Sequence, residues 1–311
     1  MKKISVIVPC FNEQDNVIPM SEALVKELTS LEIYDYEIIF IDNCSTDRTR
    51  DRIRDICVKN KKIRAIFNAR NFGQFNSPYH AICQSTGDCA IVICCDFQDP
   101  VELIPTLVRE WESGKKIVCG TKTSSRESKL MYFLRSIYYR LIKRLSHHEF
   151  IEHFTGFGLY DRSFVDVLRR LDDPTPFLRG IVAELGYKIK TVEYEQQMRR
   201  AGRSTNSLAT LYDAAMLSFT SYTRFAPRFA TVLGALMCAA SALGALICVV
   251  LTAFSLMIFS GVGAIILTLI FLCGLQLFFL GFIGEYILAI NARVMHRPLV
   301  IEAERINFDA K

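Results

Sequence analysis

Four short apolar segments in the first hundred residues are each followed by a cluster of polar side chains. The segments begin at Ile4, Tyr36, Ile63 and Ile91, and stretches with helical spacing of apolar residues separate them. Strands that alternate with helices predict a parallel sheet covered by helices on both faces. We therefore predict an α/β fold with a Rossmann-like, mostly parallel sheet, in which the carboxyl ends of the four strands meet at one edge.

The polar clusters should converge at that edge and form one binding site. In chain order they contain Asn12 and Glu13, then Asp42, then Asn71 and Gln74, and finally Asp96 and Gln98. The sequence has neither a glycine-rich dinucleotide fingerprint nor a phosphate loop ending in Gly-Lys-Ser/Thr, which argues against a dehydrogenase or an ATPase. A metal-dependent site for a nucleotide sugar fits the pattern better.

The cluster after the fourth strand carries the strongest chemical signal. Asp96, Gln98 and Asp99 place oxygen ligands close together, and carboxylate plus amide oxygen suits Mg²⁺ or Mn²⁺. A divalent ion at this position could bind a diphosphate. The alternative is an acidic turn in which Asp99 caps a helix that begins at Pro100.

A long uncharged stretch near the carboxyl terminus sets the predicted organisation of the rest of the chain. Residues 229–284 contain no Asp, Glu, Lys, Arg or His, and a membrane-spanning helix needs about 20 apolar residues. We predict spanning helices at 229–254 and 263–284, preceded by an interfacial helix at 207–228. Positive residues flank the stretch on both sides, so the positive-inside rule predicts a multi-pass protein of the inner (cytoplasmic) membrane.

The predicted helices divide the chain into a catalytic domain at 1–206 and a tail at 285–311, both on the cytoplasmic side. The 11 cysteines are an odd number without paired spacing, which fits a reducing compartment. The net charge of +5 is modest and no nucleic-acid-binding motif occurs, so we expect a membrane and not a nucleic acid as partner.

Several segments resemble, in the right order, the signatures of family 2 glycosyltransferases with the GT-A fold. These segments are SVIVPCFNEQDN, FIDNCSTD, ARNFGQ and CCDFQDPVE. Later segments resemble one branch of that family, the polyprenyl-phosphate glycosyltransferases, which contains dolichol-phosphate mannose synthase and the bactoprenol-phosphate glucosyltransferases. The later segments are HFTGFGLYDR, PFLRGIVAELGYK, RRAGRS and GEYILAINARVMHRPLVIE.

The resemblance implies an activity. It implies inverting transfer of one sugar from a nucleotide diphosphate to a polyprenyl (undecaprenyl) phosphate, assisted by Mg²⁺ or Mn²⁺, and it allows a homo-oligomer. It further implies that Asp96 and Gln98 bind the metal and so act in catalysis. The residues implied for the nucleotide sugar are Pro9, Phe11, Asn12, Glu13, Asp42, Asn71, Gln74 and Asp96.

A lipid phosphate acceptor requires cations. Arginine pairs with phosphate through two parallel hydrogen bonds, and lysine supplies a point charge. The candidates that precede the predicted membrane segments are Lys122, Arg126, Arg199 and Arg203, with Arg200 beside them. For each of these side chains the alternative is a solvated loop charge.

The sequence departs from the family pattern at two places. Cys94 stands where relatives often have the first Asp of Asp-x-Asp-x-Gln, and a thiol is a poor ligand for Mg²⁺. Thr155 and Gly156 stand where many relatives carry an Asp that is sometimes assigned as the base, and nearby Asp161 is expected to cap the following helix. Because a phosphomonoester has a second pKa of ~6, a lipid phosphate arrives largely ionised and needs orientation more than a base.

Two other functions compete with this interpretation. A processive polysaccharide synthase of the same superfamily would carry a Gln-x-x-Arg-Trp motif, which residues 196–200 match except for the tryptophan. A membrane scaffold that binds a nucleotide sugar without turning it over would tolerate Cys94. Metal-dependent turnover of the nucleotide sugar distinguishes the scaffold from either enzyme.

Overall fold

The structure is a computed structural model that describes residues 1–124, 151–171, 173, 176–201, 216, 262–294 and 298–308. Several predicted features lie outside the described residues. These are the interfacial helix at 207–228 apart from Met216, the first span at 229–254, and the acceptor candidates Arg126 and Arg203.

The described residues form one mixed sheet. Its strands are β1 (Lys2–Cys10), β2 (Tyr34–Asp42), β3 (Ile63–Asn68), β4 (Cys89–Val92), β5 (Ile117–Ser124), β6 (Phe154–Asp161), β7 (Ile189–Glu195) and β8 (Glu302–Ile306). Their order across the sheet is β7-β5-β6-β4-β1-β2-β3-β8. The adjacent strands β4, β1, β2 and β3 are parallel, whereas β6 and β8 are antiparallel to their neighbours. The predicted Rossmann-like, mostly parallel α/β sheet is therefore confirmed.

Helices cover both faces of this sheet. They are α1 (Gln14–Ser30), α2 (Thr49–Lys59), α3 (Gly73–Gln84), α4 (Ile104–Glu112), α5 (Arg162–Leu171) and α6 (Leu178–Glu184). A longer helix, α7 (Val262–Val294), comes later in the chain. Side chains of β1 alternate between two apolar layers, because successive residues of a strand point to opposite faces. Val6 and Val8 pack with Val17 of α1, and Ile7 packs in the other layer with Ile82 of α3. Burial of both faces explains why these strands are continuously apolar.

One glycine of β6 is required by the close approach of two strands. A Cβ atom at Gly158 would lie 2.4 Å from the carbonyl oxygen of Val118 on β5. Because that oxygen belongs to the backbone, it cannot move without disturbing the pairing of β5 with β6. Gly158 therefore allows the antiparallel strand β6 to pack between β4 and β5.

The end of the chain contributes an edge strand to the sheet. β8 pairs antiparallel with β3, and one ion pair and one histidine–carboxylate hydrogen bond attach it to neighbouring helices. Arg54 of α2 lies 2.7 Å from Glu304, and His80 of α3 lies 2.6 Å from Glu302. The sheet is thus built from 1–201 together with part of the segment predicted as a separate tail.

The prediction of a multi-pass inner-membrane protein is wrong. No helix within the described parts of the chain is long and apolar enough to cross a membrane, so the predicted two-helix anchor is not confirmed. The predicted span at 263–284 falls within α7, which continues without interruption past Glu285 and Arg293 to Val294. A run of residues without charge indicates hydrophobicity, but it does not fix where helices begin and end, and the prediction depended on both.

Candidate active site

The polar residues that follow β1, β2 and β4 meet at the carboxyl edge of the sheet. Glu13 stands just before α1, Asp42 is the last residue of β2, and Asp96 lies in the turn after β4. The backbone N–H of Asn43 donates to the carbonyl of Cys10 at 2.9 Å, which joins the ends of β1 and β2. Parallel pairing of these strands brings together side chains that are far apart in the sequence.

The side chain of Arg199 lies between two of these carboxylates. Its Nη2 is 2.9 Å from Oε1 of Glu13 and 3.2 Å from Oδ2 of Asp96, and its Nε also donates to that Oδ2 at 3.2 Å. Glu13 is 8% exposed and Asp96 is 6% exposed. One guanidinium thus bridges two nearly buried carboxylates that come from different strand ends.

Residues 196–201, which we call the arginine loop, cover the turn after β4. The N–H of Arg200 donates to the carbonyl of Asp96 at 3.2 Å, and the N–H of Gln197 donates to the carbonyl of Gln98 at 3.2 Å. The guanidinium of Arg200 lies over the ring of Phe97, 5.2 Å from its centre. Backbone hydrogen bonds therefore fix the arginine loop against the predicted metal-binding turn.

Burial and the contacts with Asn16 and Arg199 have opposite effects on the pKa of the Glu13 carboxyl group. Burial raises the pKa of its carboxyl group, whereas the hydrogen bond from Asn16 and the charge of Arg199 lower it, and the net pKa is raised. The Nδ2 of Asn16 donates to Oε2 of Glu13 at 2.6 Å and to the carbonyl of Ala201 at 3.3 Å. Asn16 consequently links the carboxylate to the end of the arginine loop.

The turn after β4 has a conformation that presents the metal candidates together. Phe97 has a φ of 60°, in the left-handed region, and the N–H of Gln98 donates to Oδ1 of Asp96 at 3.2 Å. Aspartate commonly stabilises a turn through such a bond to the residue two positions on. Gln98 is half-buried, and Cys94 is exposed on the same segment.

Asp99 does not cap a helix, so that alternative interpretation of the turn is wrong. α4 begins only at Ile104, after a 3-10 turn at Val101–Leu103. Asp99 is 2% exposed and accepts a hydrogen bond from the hydroxyl of Tyr194 on β7 at 2.5 Å. Burial raises the pKa of Asp99, and the bond from Tyr194 acts against that rise. Asp99 therefore connects the turn to β7.

Lys122 of β5 approaches the same acidic residues. Its side chain is half-buried, and burial lowers the pKa of its ammonium group, while the charges of Asp99 and Asp96 act in the opposite direction. The backbone N–H of Lys122 donates to the carbonyl of His153 at 3.3 Å. Of the predicted acceptor cations, Arg199 contacts the site directly, and Lys122 is near enough for the charges of Asp99 and Asp96 to act on its pKa.

Of the predicted nucleotide-binding residues, Asn12 joins the loops after β1 and β2, and Asp42 anchors the loop after β2. Asn12 has a φ of 55°, and its Oδ1 accepts the N–H of Thr46 at 2.9 Å. Asp42 is 0% exposed, and its carboxylate accepts Nε of Arg50 at 2.6 Å and the N–H of Ser45. Both side chains shape the site through these bonds, and the predicted contact of Asp42 with a nucleobase stays a prediction.

The other predicted nucleotide-binding residues lie along the rim of the strand ends. Pro9 and Phe11 are half-buried, whereas Asn71 and Gln74 are exposed. Asn71 accepts hydrogen bonds through Oδ1 from Nδ2 of Asn43 and from the N–H of Gly73, both at 2.8 Å. The loop after β3 is thus joined to the loop after β2.

Three residues of the site could not be found from the sequence. Asn16, Arg50 and Tyr194 contact Glu13, Asp42 and Asp99 respectively. Asn16 closes the signature segment SVIVPCFNEQDN but was given no role there, whereas Arg50 on α2 and Tyr194 on β7 lie outside the quoted segments. The only available signal was the position of Asn16 and Arg50 in the first turns of α1 and α2, directly after the strand ends.

The donor set fits a metal ion that arrives with a diphosphate. No group of three or more His, Cys, Asp and Glu side chains among the described residues could hold a metal by itself. Mg²⁺ in proteins usually takes one or two carboxylates together with substrate phosphates and water. Asp96 with the amide of Gln98 matches that requirement, and the guanidinium of Arg199 shows that positive charge is accommodated beside Asp96.

Asp161 lies at the opposite edge of the sheet. Because β6 is antiparallel to β4, Asp161 pairs with Cys89, the first residue of β4. Its Oδ1 accepts the N–H of Ser163 at 3.0 Å, which confirms that it caps the helix that follows, and its Oδ2 accepts Nε1 of Trp111 at 2.8 Å. Asp161 therefore cannot act as a base in the site.

We expect the stabilising contribution of Asp161 to depend on pH. Burial alone would raise the pKa of this carboxyl, but hydrogen bonds from Ser163, Trp111 and Lys116 lower it to about 2. A carboxylate whose pKa is lower in the folded state stabilises the fold above the unfolded pKa of ~3.9, and this contribution disappears as pH falls towards 2. In urea denaturation, Asp161→Asn should lower the free energy of unfolding by about 2 kcal/mol at pH 7 and by less at pH 3. An equal loss at both pH values would contradict the assignment.

Comparisons with known proteins identify the family. The sequence profile of Glycosyl transferase family 2 matches residues 5–169. The bactoprenol glucosyl transferase of Shigella phage SfV is 31% identical over 301 residues, which cover 96% of this chain and 97% of that protein. The prophage bactoprenol glucosyl transferase homolog of Escherichia coli K12 is 29% identical over 300 residues, covering 96% and 98%.

A solved structure supports the same conclusion at the level of the fold. The crystal structure of a mycobacterial protein matches with a TM-score of 0.50 at 18% identity, over 70% of this chain and 73% of that one. The sheet is accordingly GT-A-like. The predicted resemblance is confirmed, and the chain belongs to glycosyl transferase family 2, in the polyprenyl-phosphate branch that includes the bactoprenol glucosyl transferases.

Proposed function

We propose that this protein transfers a single sugar, with inversion, from a UDP- or GDP-linked sugar to a polyprenyl phosphate such as undecaprenyl phosphate. The product would serve cell-envelope glycan synthesis or protein glycosylation. The observation that carries the proposal is the meeting of Asp96, Glu13 and Arg199 at the carboxyl edge of the sheet. The names of the bactoprenol glucosyl transferases that resemble the chain along almost its whole length support the acceptor.

Residues at the strand ends would bind the donor. Asp96 and Gln98 would hold Mg²⁺ or Mn²⁺, and that ion would offset the negative charge that grows on the departing diphosphate. For the nucleoside we assign the residues that line the ends of β1, β2 and β3. These residues are Pro9, Phe11, Asn12, Glu13, Asp42, Asn71 and Gln74.

The acceptor phosphate needs orientation more than activation. An oxygen of the ionised lipid phosphate would attack the anomeric carbon, and the bond from that carbon to the diphosphate would break with its electron pair leaving on the diphosphate. Asp161 is at the far edge of the sheet and Asp99 is engaged by Tyr194, and an ionised phosphate requires neither as a base. Lys122 and Arg199 would position the phosphate, together with Arg126 and Arg203.

A transfer assay tests the proposal directly. Purified protein with Mn²⁺ or Mg²⁺, undecaprenyl phosphate and labelled UDP- and GDP-sugars should move label from one donor into an organic-extractable, mild-acid-labile product. The anomeric configuration of that product, determined by NMR, should be opposite to that of the donor. A water-soluble polymer would instead indicate a processive synthase. Nucleotide binding without turnover of any donor would indicate a non-catalytic protein.

A further inference from the structure

Arg199 occupies one of the two carboxylate oxygens through which Asp96 could hold the proposed metal. Its Nε and Nη2 both lie 3.2 Å from Oδ2 of Asp96. A divalent ion bound to the same oxygen would place two positive centres within a few ångströms of each other, in a site where the carboxylate is only 6% exposed. Such like charges repel strongly away from bulk water. Pairing of Asp96 with the guanidinium therefore weakens binding of the metal, and binding of the metal weakens the pairing with the guanidinium.

The two carboxylates also require a cation when no ligand is bound. Glu13 and Asp96 are both nearly buried, and buried carboxylates that lie close together repel unless a positive charge is shared between them. Arg199 supplies that charge through its contacts with both residues. The pairing thus keeps the site in its folded shape before the donor arrives.

We propose that Arg199 is an exchangeable counter-cation. It holds Asp96 and Glu13 in the ligand-free protein, leaves Asp96 when the metal–nucleotide complex binds, and then faces the acceptor phosphate. The last step rests on the proposed function. The consequence is an order of binding in which the donor precedes the lipid phosphate, because Arg199 is available to the acceptor only after the metal has taken Asp96.

The side chain of Arg199 can move while the backbone of the arginine loop stays in place. Its hydrogen bonds to the turn run from the N–H groups of Gln197 and Arg200 to the carbonyls of Gln98 and Asp96. These bonds use backbone atoms alone and do not involve the guanidinium. Rotation about the side-chain bonds of Arg199 is therefore sufficient for the exchange, and Glu13 can remain one of its partners.

Binding of Mn²⁺, measured by electron paramagnetic resonance on the full-length protein, tests the exchange without requiring turnover. In the absence of nucleotide, Arg199→Gln should bind Mn²⁺ about tenfold more tightly than the wild type, because the tethered competitor is gone; tenfold corresponds to about 1.4 kcal/mol. Arg200→Gln is the matched control. It removes the neighbouring guanidinium over Phe97 but keeps the backbone bond to Asp96, so Mn²⁺ affinity should not change.

A second measurement, the KM for undecaprenyl phosphate, should show that the variant that binds Mn²⁺ more tightly binds the acceptor less well. With donor and metal saturating, Arg199→Gln should raise the KM for undecaprenyl phosphate about tenfold, and Arg199→Lys should restore part of the loss because it keeps the charge. A purely structural role of Arg199 would weaken both metal binding and acceptor use. Opposite changes in the two measurements are specific to the exchange.

The outcomes separate this inference from the proposed function. If the wild type binds Mn²⁺ in the presence of UDP and Asp96→Asn abolishes that binding, the metal site is established. Unchanged or weaker Mn²⁺ binding by nucleotide-free Arg199→Gln would then overturn the exchange alone. If the wild type binds no Mn²⁺ even with UDP, or Asp96→Asn binds it normally, the metal assignment fails and the exchange fails with it.

Discussion

Asp96→Asn is expected to reduce sugar transfer to polyprenyl phosphate on the order of 10³-fold. The proposed metal contributes several kcal/mol by offsetting charge on the departing diphosphate, and each 1.36 kcal/mol corresponds to a tenfold change in rate. Asparagine has almost the same shape as aspartate, and its Oδ1 can still accept the N–H of Gln98 that now lies 3.2 Å from Asp96. The variant therefore removes the charge while preserving the turn.

Two comparisons make this prediction specific. Thermal unfolding of Asp96→Asn should stay close to that of the wild type, since Arg199 keeps Glu13 as a negative partner and the backbone bonds of the turn are retained. Asp51→Asn, on the exposed surface of α2, removes an equivalent charge away from the strand ends and should keep the wild-type rate. Transfer by Asp96→Asn at the wild-type rate would show that Asp96 binds no metal needed for the reaction.

The location of the site followed from the sequence because topology leaves few choices. Once strands and helices alternate, parallel strands place their carboxyl ends at one edge, and Glu13 and Asp96 had to lie near each other. The apolar stripe of α1 and the buried strands β1 and β2 followed from periodicity for the same reason. These features depend on neighbours in the sequence and on a general rule of chain connection.

The contacts of Arg199 could not be derived in this way. It lies 186 positions from Glu13 and 103 positions from Asp96 along the chain. Its approach depends on how β7 pairs with β5 and on the path of the arginine loop after β7, neither of which has a periodic signal. The sequence could identify it as a cation near a phosphate site, but not as the partner of two carboxylates.

The edge strand β8 was missed for a related reason. Its sequence, Glu302–Ile306, is EAERI, in which charged residues outnumber apolar ones. Edge strands commonly carry charge, because charge discourages pairing with other chains, so they lack the apolar pattern that reveals central strands. The pairing of β8 depends on side chains of α2 and α3 that reach it from other parts of the sequence, including Arg54 and His80.

At the opposite edge of the sheet, Glu37→Gln is expected to lower the free energy of unfolding by about 3 to 5 kcal/mol, the usual effect of removing one partner of a buried ion pair. Glu37 is 1% exposed. Its carboxylate accepts Oγ of Ser5 at 2.5 Å and lies 2.8 Å from Nη1 of Arg64 and 3.1 Å from Nζ of Lys3. Within the described part of the chain, glutamine would leave both cations without a negatively charged partner in ion-pair distance.

Urea denaturation at pH 7 measures this loss. Glu32→Gln is the matched control, because Glu32 is exposed and lies two residues before β2. This control should change the free energy of unfolding by no more than about 0.5 kcal/mol. Burial raises the pKa of Glu37, but the hydrogen bonds from Ser5 and Thr86 and the charges of Arg64 and Lys3 lower it overall. The difference between variant and wild type should therefore shrink as pH falls below ~4.3, where the unfolded carboxylate takes up its proton.

Transfer per folded molecule should not change in Glu37→Gln, because Glu37 pairs with Ser5 near the start of β1, whereas the site lies beyond its end at Cys10. Asp96→Asn should show the reverse, with a normal fold and little transfer. If the free energy of unfolding of Glu37→Gln lay within about 1 kcal/mol of the wild-type value, the cations would be stabilised by water and not by the carboxylate. The two variants together would thus show that Glu37, at one edge of the sheet, contributes to stability, whereas Asp96, at the opposite edge, contributes to the reaction.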